Sequence, residues 1–379
     1  MPELPAPGQP GARAGPADSP EESAFDIYGQ GEETLSEEGY LRSIRRKRRA
    51  LALTAAAVFA AAFATLLWNN DDRSASEVAR GFLSFSDDTL MGRYVWNIDM
   101  KVIVAALAVG AGLSLAGTVM QCVLKNPLAS PYTLGISGAA TFGAAASIVY
   151  FDAGAAFGGE FMQTYCTPIL AFASSMAATG TILLLTRYTG ISSEAMVLAG
   201  IAVSAVFTAG MTLMQYMADS AQLSQIVSWS FGTINYATWE WDIILAAAVF
   251  LAGLFFMTQR WNMNAMEAGD EAARGLGVRT GLFLAVGMTV SSLLTALLLS
   301  KFGTIAFVGL LGPHIARMLI GNDHRYLIPM SMLFGMLLMA VSSAVALNIV
   351  KPHVLPVGLI TSLLGGPAFI YLMIRRYRR

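Results

Sequence analysis

Long apolar runs recur along the chain from residue 51 to residue 374. A helix needs roughly 20 mostly apolar residues to cross about 30 Å of hydrocarbon, and these runs are close to that length. The runs are Leu51–Trp68, Val102–Leu124, Leu134–Phe151, Pro168–Leu185, Met196–Met217, Trp241–Met257, Leu282–Ser300, Thr304–Ile320, Leu327–Val350 and Leu355–Ile374. Because barrel strands are shorter and lipid forces each segment to pair its own backbone groups, the runs predict ten transmembrane helices.

The basic residues indicate how these helices are oriented. If the path alternates across the membrane, the side that holds both chain ends carries 18 of the 24 Lys and Arg residues, and the other side carries 6. Positive residues concentrate in cytoplasmic loops, so both termini are expected in the cytoplasm. The sequence therefore predicts an all-α integral membrane protein of about ten spans, located as a multi-pass protein in the cell membrane.

The polar residues concentrate before the first run. Only 13% of the chain is charged, about half the share of a soluble domain, and residues 1–50 hold 16 of the 49 charges. Residues 1–41 are acidic and rich in Pro and Gly, which predicts a disordered cytoplasmic tail. Residues 42–50 form a basic juxtamembrane segment, and residues 51–379 form the ten-helix domain. Because the basic segment follows an acidic stretch, the first run is expected to be retained rather than cleaved as a signal peptide.

Several classes of function are disfavoured by the residues that the sequence contains. Cys122 and Cys166 have no partner at metal-ligand spacing, so we expect two small hydrophobic side chains and no metal site. None of the five lysines is followed by Ser or Thr, so the chain has no P-loop and the energy for pumping would come from another polypeptide. The net charge of −1 gives no reason to expect a nucleic-acid partner. No carboxylate is expected inside a span, which disfavours ion-coupled transport.

A first motif follows the second run and contains Gln121, Asn126, Pro127, Pro131 and Gly135. The prolines are expected to end one helix and precede the next, and Asn126 can cap the freed backbone amides. Taken alone, this pattern is most typical of a short turn between helices. A place on the transport path is the alternative.

A second motif lies between the sixth and seventh runs, on the predicted cytoplasmic side. Gly269 can break the chain, Asp270 or Glu271 can cap a short helix, and Gly277 can close it. A short helix in a cytoplasmic loop is suited to docking another protein. Before other observations are added, a solvated connector is an equally good interpretation.

A third motif lies within the eighth run and contains Gly312, Pro313, His314 and Arg317. Gly312 and Pro313 predict a break near the middle of the helix, and broken helices at membrane depth often mark transport pathways. A kinked packing helix is the alternative. If the break is present, replacing both residues by Ala should straighten the segment, stabilise the protein and lower transport. His314 is expected to be a hydrogen-bonded structural residue, because no second ligand lies at metal spacing.

Over roughly residues 96–374, these motifs together resemble the permease subunit of the ABC importers that carry iron-siderophores, haem and cobalamin. The resemblance rests on the order of the motifs, which are G-x-x-x-Q, N-P-L-A-x-P, L-A-G, W-x-x-G, G-D-E-A-A-x-x-L-G-V, F-V-G-L-x-x-P-H-x-x-R, G-x-D-H-R, P-V-G and G-x-P-x-F. A stand-alone secondary carrier or passive pore is the alternative function, and a non-transporting membrane scaffold is a third.

The resemblance implies a ten-helix permease that dimerises, with itself or with a sibling chain, and receives substrate from an extracytoplasmic binding protein. It also implies that two cytoplasmic ATPases, which bind ATP and Mg, dock on the loop that ends at Val278. The permease itself would bind no cofactor. The loop residues concerned are Gly269, Asp270, Glu271, Ala272, Ala273, Leu276 and Gly277.

The chain departs from the family on the predicted outer surface. Many relatives carry R-L-P-R before the second span, where this chain has D-M-K-V at residues 99–102. Relatives also often have an Asp and an Arg near the outer end of the ninth helix, where this chain has Ser343 and Leu347. The resemblance leaves Lys101 and Lys351 as the substitutes for the arginines that are expected to meet carboxylates of the binding protein.

Overall fold

The computed structural model describes residues 37–68, 74–84, 89–151, 160–189 and 193–377. Within these ranges the protein is helical and contains no strand. The helices are α1 (Glu37–Trp68), α2 (Ala75–Leu83), α3 (Leu90–Tyr94), α4 (Met100–Val123), α5 (Ile136–Phe151), α6 (Glu160–Thr189), α7 (Ser193–Met217), α8 (Ser220–Ser230), α9 (Trp239–Thr258), α10 (Arg260–Glu267), α11 (Asp270–Gly275), α12 (Thr280–Phe302), α13 (Val308–Ile320), α14 (His324–Asn348) and α15 (Val357–Tyr377), with a π-helical turn at Val95–Asp99. The described residues divide into two compact units between Arg48 and Arg49, and every site described below lies in the second.

The membrane-spanning helices agree with the predicted runs. Seven segments are long and apolar enough to cross a bilayer, and three shorter apolar helices accompany them. The seven are Gly39–Trp68, Leu90–Val123, Tyr165–Leu185, Met196–Met217, Trp239–Thr258, Thr280–Phe302 and His324–Asn348, and the three are Ile136–Phe151, Val308–Ile320 and Val357–Leu372. Each overlaps one predicted run, which confirms an all-α membrane protein with about ten apolar helices. The cytoplasmic location of both termini stays a prediction.

The first helix begins before the basic segment. The helix α1 starts at Glu37, so the last residues assigned to the tail are helical, while residues 1–36 lie outside the described ranges. Arg and Lys, which dominate the next turns, are good helix formers. These local preferences explain why the helix extends beyond the apolar run.

The helix α4 forms the centre of the core and is buried along nearly its whole length. It packs against α9, α12, α13 and α14. Small residues allow this close approach, since a Cβ atom at Gly117 would overlap the carbonyl oxygen of Gly309, and one at Gly335 would overlap that of Gly110. The hydroxyl of Ser114 donates to the Val308 carbonyl oxygen at 3.1 Å, which adds a polar tie between α4 and α13. The backbones of three helices therefore meet directly.

The predicted break at Gly312 and Pro313 is wrong, because α13 runs without interruption from Val308 to Ile320. The irregular backbone lies earlier, where Gly303 has a φ of +77° and Phe307 a φ of +65°. Gly312 is required by packing and not by a break in the helix, because a Cβ at this position would overlap the Ser114 hydroxyl oxygen. Replacing Gly312 by Ala would therefore destabilise the contact with α4, contrary to the expectation from the sequence.

The expectation that no span contains a carboxylate is wrong, because the predicted run Trp241–Met257 includes Asp242. Asp242 stands in the first turn of α9 and is fully buried. The amino-terminal end of a helix favours negative charge, which makes this position less costly than the centre of a span. The carboxylate therefore belongs to the end of the helix rather than to the middle of the membrane.

Candidate coupling site

The short helix predicted between the sixth and seventh spans is present as α11. It begins at Asp270, directly after Gly269, and ends at Gly275. Gly269 has a φ of +107° and Gly277 a φ of +85°, conformations that glycine adopts at little cost. The two glycines therefore separate α11 from α10 and α12, as the pattern predicts. The predicted cap is wrong, because Gly269 is the N-cap residue and has no side chain that could cap the helix.

One side of α11 is anchored and the other is exposed. The side chain of Ala273 is fully buried and belongs to the main hydrophobic core. Leu276, which follows the helix, is 73% exposed, and Asp270, Glu271 and Ala272 are exposed beside it. The helix thus presents an apolar side chain and two carboxylates outside the spans while Ala273 fixes its position.

An ion pair connects α11 to the turn that follows α4. The ammonium of Lys125 lies 2.7 Å from the carboxylate of Asp270. The two side chains are 34% and 49% exposed, so water screens the pair and its net stabilisation is about 0–1 kcal/mol. The pair therefore orients α11 more than it stabilises the fold.

A second connection joins α10, α13 and α4 through Arg317. Its guanidinium donates to the side-chain oxygen of Gln121 at 3.1 Å and lies 3.9 Å from the carboxylate of Glu267. Burial raises the pKa of the Glu267 carboxyl, and the nearby Arg317 and Lys125 oppose that rise. Gln121 and Arg317, which the motifs singled out separately, are thus brought together.

A third connection joins α10 to the start of α14. The side-chain amide of Asn264 donates to Asp323 at 3.2 Å, and its oxygen accepts the backbone N–H of His324 at 2.8 Å. Asp323 also caps α14 and holds the guanidinium of Arg325 at 2.7 Å. Burial alone would raise the pKa of the Asp323 carboxyl, but the hydrogen bonds from Arg325 and Asn264 outweigh it and lower the pKa to about 2.

Asp323→Asn is expected to destabilise the protein by about 1 kcal/mol near neutral pH, after allowance for solvent screening. The pKa of Asp323 is about 2 against an ordinary 3.8, so its stabilisation is complete above that ordinary value and is lost as pH falls towards 2. Thermal unfolding of both proteins at about pH 7 and about pH 3 tests this, because the difference should shrink at the lower pH. A difference that is the same at both pH values would contradict the assignment.

The turn after α4 has the predicted cap. The side-chain oxygen of Asn126 accepts the Leu128 backbone N–H at 2.9 Å. The segment that contains Pro127 and Pro131 then leads to Gly135, whose φ of +80° precedes α5. The motif therefore forms an ordered turn on one side of the α4 and α13 contact, and its role in transport stays a prediction.

The remaining predicted residues lie apart from these connections. His314 is buried within α13. Lys101 lies in the first turn of α4, and Lys351 follows α14 and donates to the Trp68 carbonyl oxygen at 3.4 Å. The sequence motifs did not identify five of the site residues, although two of them stand in the G-x-D-H-R motif; the five are Lys125, Asn264, Glu267, Asp323 and His324. Their partners are remote in the sequence, so spacing carried no signal for the contacts.

The chain is similar to known permeases over most of its length. It matches the FecCD transport family over residues 52–375. It is 44% identical, over 80% of this chain and 88% of the relative, to a Methanocaldococcus jannaschii protein named as an ABC transporter permease. It is 34% identical to the hemin transport system permease protein HmuU of Yersinia pestis, over 75% of this chain and 84% of that protein.

A solved structure has the same fold. It is described as a metal-chelate type ABC transporter in an inward-facing conformation. The two chains are 25% identical and superpose with a TM-score of 0.74, which covers 86% of this chain and 99% of the other. The chain therefore belongs to the FecCD transport family and is a multi-pass permease subunit of an ABC transporter in the cell membrane.

Proposed function

We propose that this permease carries an iron chelate, such as a ferric siderophore or haem, into the cytoplasm. Separate ATPase subunits, which bind ATP and Mg²⁺, dock at α11 and drive the transport, and the permease binds no nucleotide itself. The relatives that transport hemin and metal chelates support the substrate class. One observation supports the role of α11 in coupling. Leu276 is exposed directly after α11, and the ion pair between Asp270 and Lys125 connects α11 to the end of the buried helix α4.

The three connections suggest how a movement of the ATPase reaches the membrane. Asp270 is tied to the end of α4, Glu267 to Arg317 of α13, and Asn264 to the start of α14. The same three helices touch through their glycine backbones, so a displacement of α10 and α11 would act on them together. Alternating access requires that α4, α13 and α14 pack together in two different arrangements. Nucleotide binding to the ATPase would favour one of these arrangements.

The proposed assembly contains two ATPases, a second permease subunit and an extracytoplasmic binding protein. The second permease is either another copy of this chain or a sibling chain. We place the docking of the binding protein on the side of Lys101 and Lys351. Basic side chains at the rim of an interface act by long-range attraction, which raises the rate of association at low salt.

The double variant Lys101→Ala, Lys351→Ala should therefore associate several-fold more slowly with the binding protein at low ionic strength. At high ionic strength its rate should approach that of the wild type, because salt screens the attraction. Association rates at both ionic strengths test this, with Lys47→Ala, on the opposite predicted side, as the control. Equal salt dependence in all three proteins would show that docking does not use these lysines.

Uptake by the reconstituted complex tests the proposed function. The permease is placed in liposomes with its ATPase and binding protein, and labelled ferric siderophore or haem is supplied outside. We expect uptake that requires ATP and stops when the ATPase is replaced by a variant that binds ATP without hydrolysing it. Uptake by the permease alone under an ion gradient would contradict the proposal, and ATP-driven uptake of a different substrate would overturn the substrate class only.

A further inference from the structure

Three side chains of metal-ligand type meet where α4, α10 and α14 come together. The sulfur of Cys122, a carboxylate oxygen of Glu267 and an imidazole nitrogen of His324 all lie within 4.8 Å of one another. Cys122 and His324 are buried, whereas the Glu267 side chain is 30% exposed, so the cluster is open to solvent on one side. Sulfur, imidazole and carboxylate are the ligands that Zn²⁺ and related ions take in proteins.

The hydrogen bonds around His324 determine which nitrogen is available. The oxygen of Asn264 accepts the His324 backbone N–H, and the Asn264 amide donates to Asp323, so the orientation of this amide is fixed. The imidazole Nδ1 lies 2.9 Å from the same oxygen and must therefore be the donor. In the neutral ring the lone pair is then on Nε2, which is buried and has no hydrogen-bond partner among the described residues.

This arrangement is the one that proteins use to hold a metal-binding histidine. The ring nitrogen opposite the metal usually donates to a carbonyl or carboxylate oxygen, which fixes the tautomer and the ring orientation. Here Asn264 takes that place, and Asp323 in turn fixes Asn264. The Nε2 atom lies 3.9 Å from the Glu267 carboxylate, and its lone pair is free for an ion between them.

We propose that Cys122, Glu267 and His324 form a binding site for a divalent transition metal ion, with Zn²⁺ as the best match and water as a fourth ligand. Tetrahedral ligands at Zn–N and Zn–S bond lengths lie about 3.5 Å apart, so the distances between the ligand atoms must shorten by up to about 1.3 Å. The Glu267 side chain, which is partly exposed at the end of α10, can make that movement. Binding replaces the S–H bond of Cys122 by a sulfur–metal bond and releases the proton to solvent.

The charges around the cluster are compatible with a cation. A Cys122 thiolate and the Glu267 carboxylate together balance the charge of the ion. Arg317 and Lys125 are the positive groups nearby, and Arg317 competes for Glu267 across 3.9 Å. When Glu267 turns to the ion, Arg317 keeps its hydrogen bond to Gln121. The bound ion would tie α10, which leads directly into α11, to α4 and α14.

Metal binding by the purified full chain in lipid nanodiscs tests this site. After chelation and dialysis against Zn²⁺, the wild type should retain one ion per chain. Cys122→Ser, Glu267→Gln and His324→Asn should each weaken binding at least about tenfold. In His324→Asn, the new amide group has an N–H near the position of Nδ1 but no atom at the position of Nε2. The variant therefore lacks the nitrogen that would bind the metal and keeps the hydrogen bond to Asn264. Cys166→Ser, which alters the other buried cysteine, is the matched control and should bind as the wild type does.

Cobalt provides a second readout that depends on the sulfur. Co²⁺ bound at this site should show a thiolate charge-transfer band that disappears in Cys122→Ser and persists in Cys166→Ser. Thermal unfolding without metal identifies any variant that fails to fold, and the other two ligand variants then still decide the outcome. Unchanged Zn²⁺ binding in the folded ligand variants, or a cobalt spectrum without the thiolate band, would mean binding elsewhere and would overturn the proposal.

Discussion

Gly117→Ala is expected to destabilise the permease by about 3 kcal/mol, near the upper end of the range for overpacking. The carbonyl oxygen of Gly309 occupies the space where the new Cβ would stand, and a backbone atom cannot rotate away as a side chain can. The α13 backbone is also confined, because Gly309 itself faces the Leu113 carbonyl oxygen and Pro131 of the following turn. Thermal unfolding in nanodiscs measures the effect.

Gly138→Ala is the control for this prediction. Gly138 also lies in a helix, α5, but a Cβ there would meet no atom within 4 Å. Alanine is a better helix former than glycine, so this variant should be as stable as the wild type or more stable by up to about 1 kcal/mol. A similar loss of stability in both variants, or none in Gly117→Ala, would contradict the proposed contact between the α4 and α13 backbones.

The double variant Asp270→Lys, Glu271→Lys is expected to reduce ATP-driven uptake at least about tenfold while the protein still inserts and folds. Two carboxylates of α11 become cations, and one of them then repels Lys125 in place of pairing with it. The pair is half-exposed, so its loss costs no more than about 1 kcal/mol of stability. Substrate-stimulated ATP hydrolysis and uptake are measured in the same proteoliposomes.

A charge exchange separates the ion pair from the other effects of this variant. Lys125→Asp with Asp270→Lys restores an opposite-charge pair at the same place, and it should recover part of the uptake lost in Asp270→Lys alone. Recovery would show that the tie between α11 and α4 matters for coupling. Normal uptake by the double lysine variant would remove α11 from the coupling pathway.

The helices could be predicted because their signal is local. A run such as Met196–Met217 is mostly apolar and contains no charged residue, and the structure gives a candidate span with the same bounds. The α11 helix was also predictable, because a glycine lies near each of its ends. Gly269 and Gly277 adopt a positive φ, which glycine allows irrespective of contacts with remote residues. The sequence therefore predicted those features whose causes lie within a few residues.

The contacts between remote segments could not be predicted in this way. Gly312 suggested a break because the sequence does not show Ser114 packed against it. Cys122 is a buried core residue as predicted, but the sequence does not show that Glu267 and His324 lie beside it, because both are far from it in the chain. In both cases the deciding partner comes from another helix, which spacing along one chain does not reveal.

The affinity of the separate ATPase for permease variants tests whether the ATPase docks at α11. Leu276 is 73% exposed beside α11, and Leu83 is 70% exposed in α2, on the opposite predicted side of the membrane. With the permeases in nanodiscs, Leu276→Asp should weaken ATPase binding at least about tenfold, or about 1.4 kcal/mol, whereas Leu83→Asp should leave it unchanged. Equal binding to the wild type and to Leu276→Asp would show that the ATPase does not dock at α11.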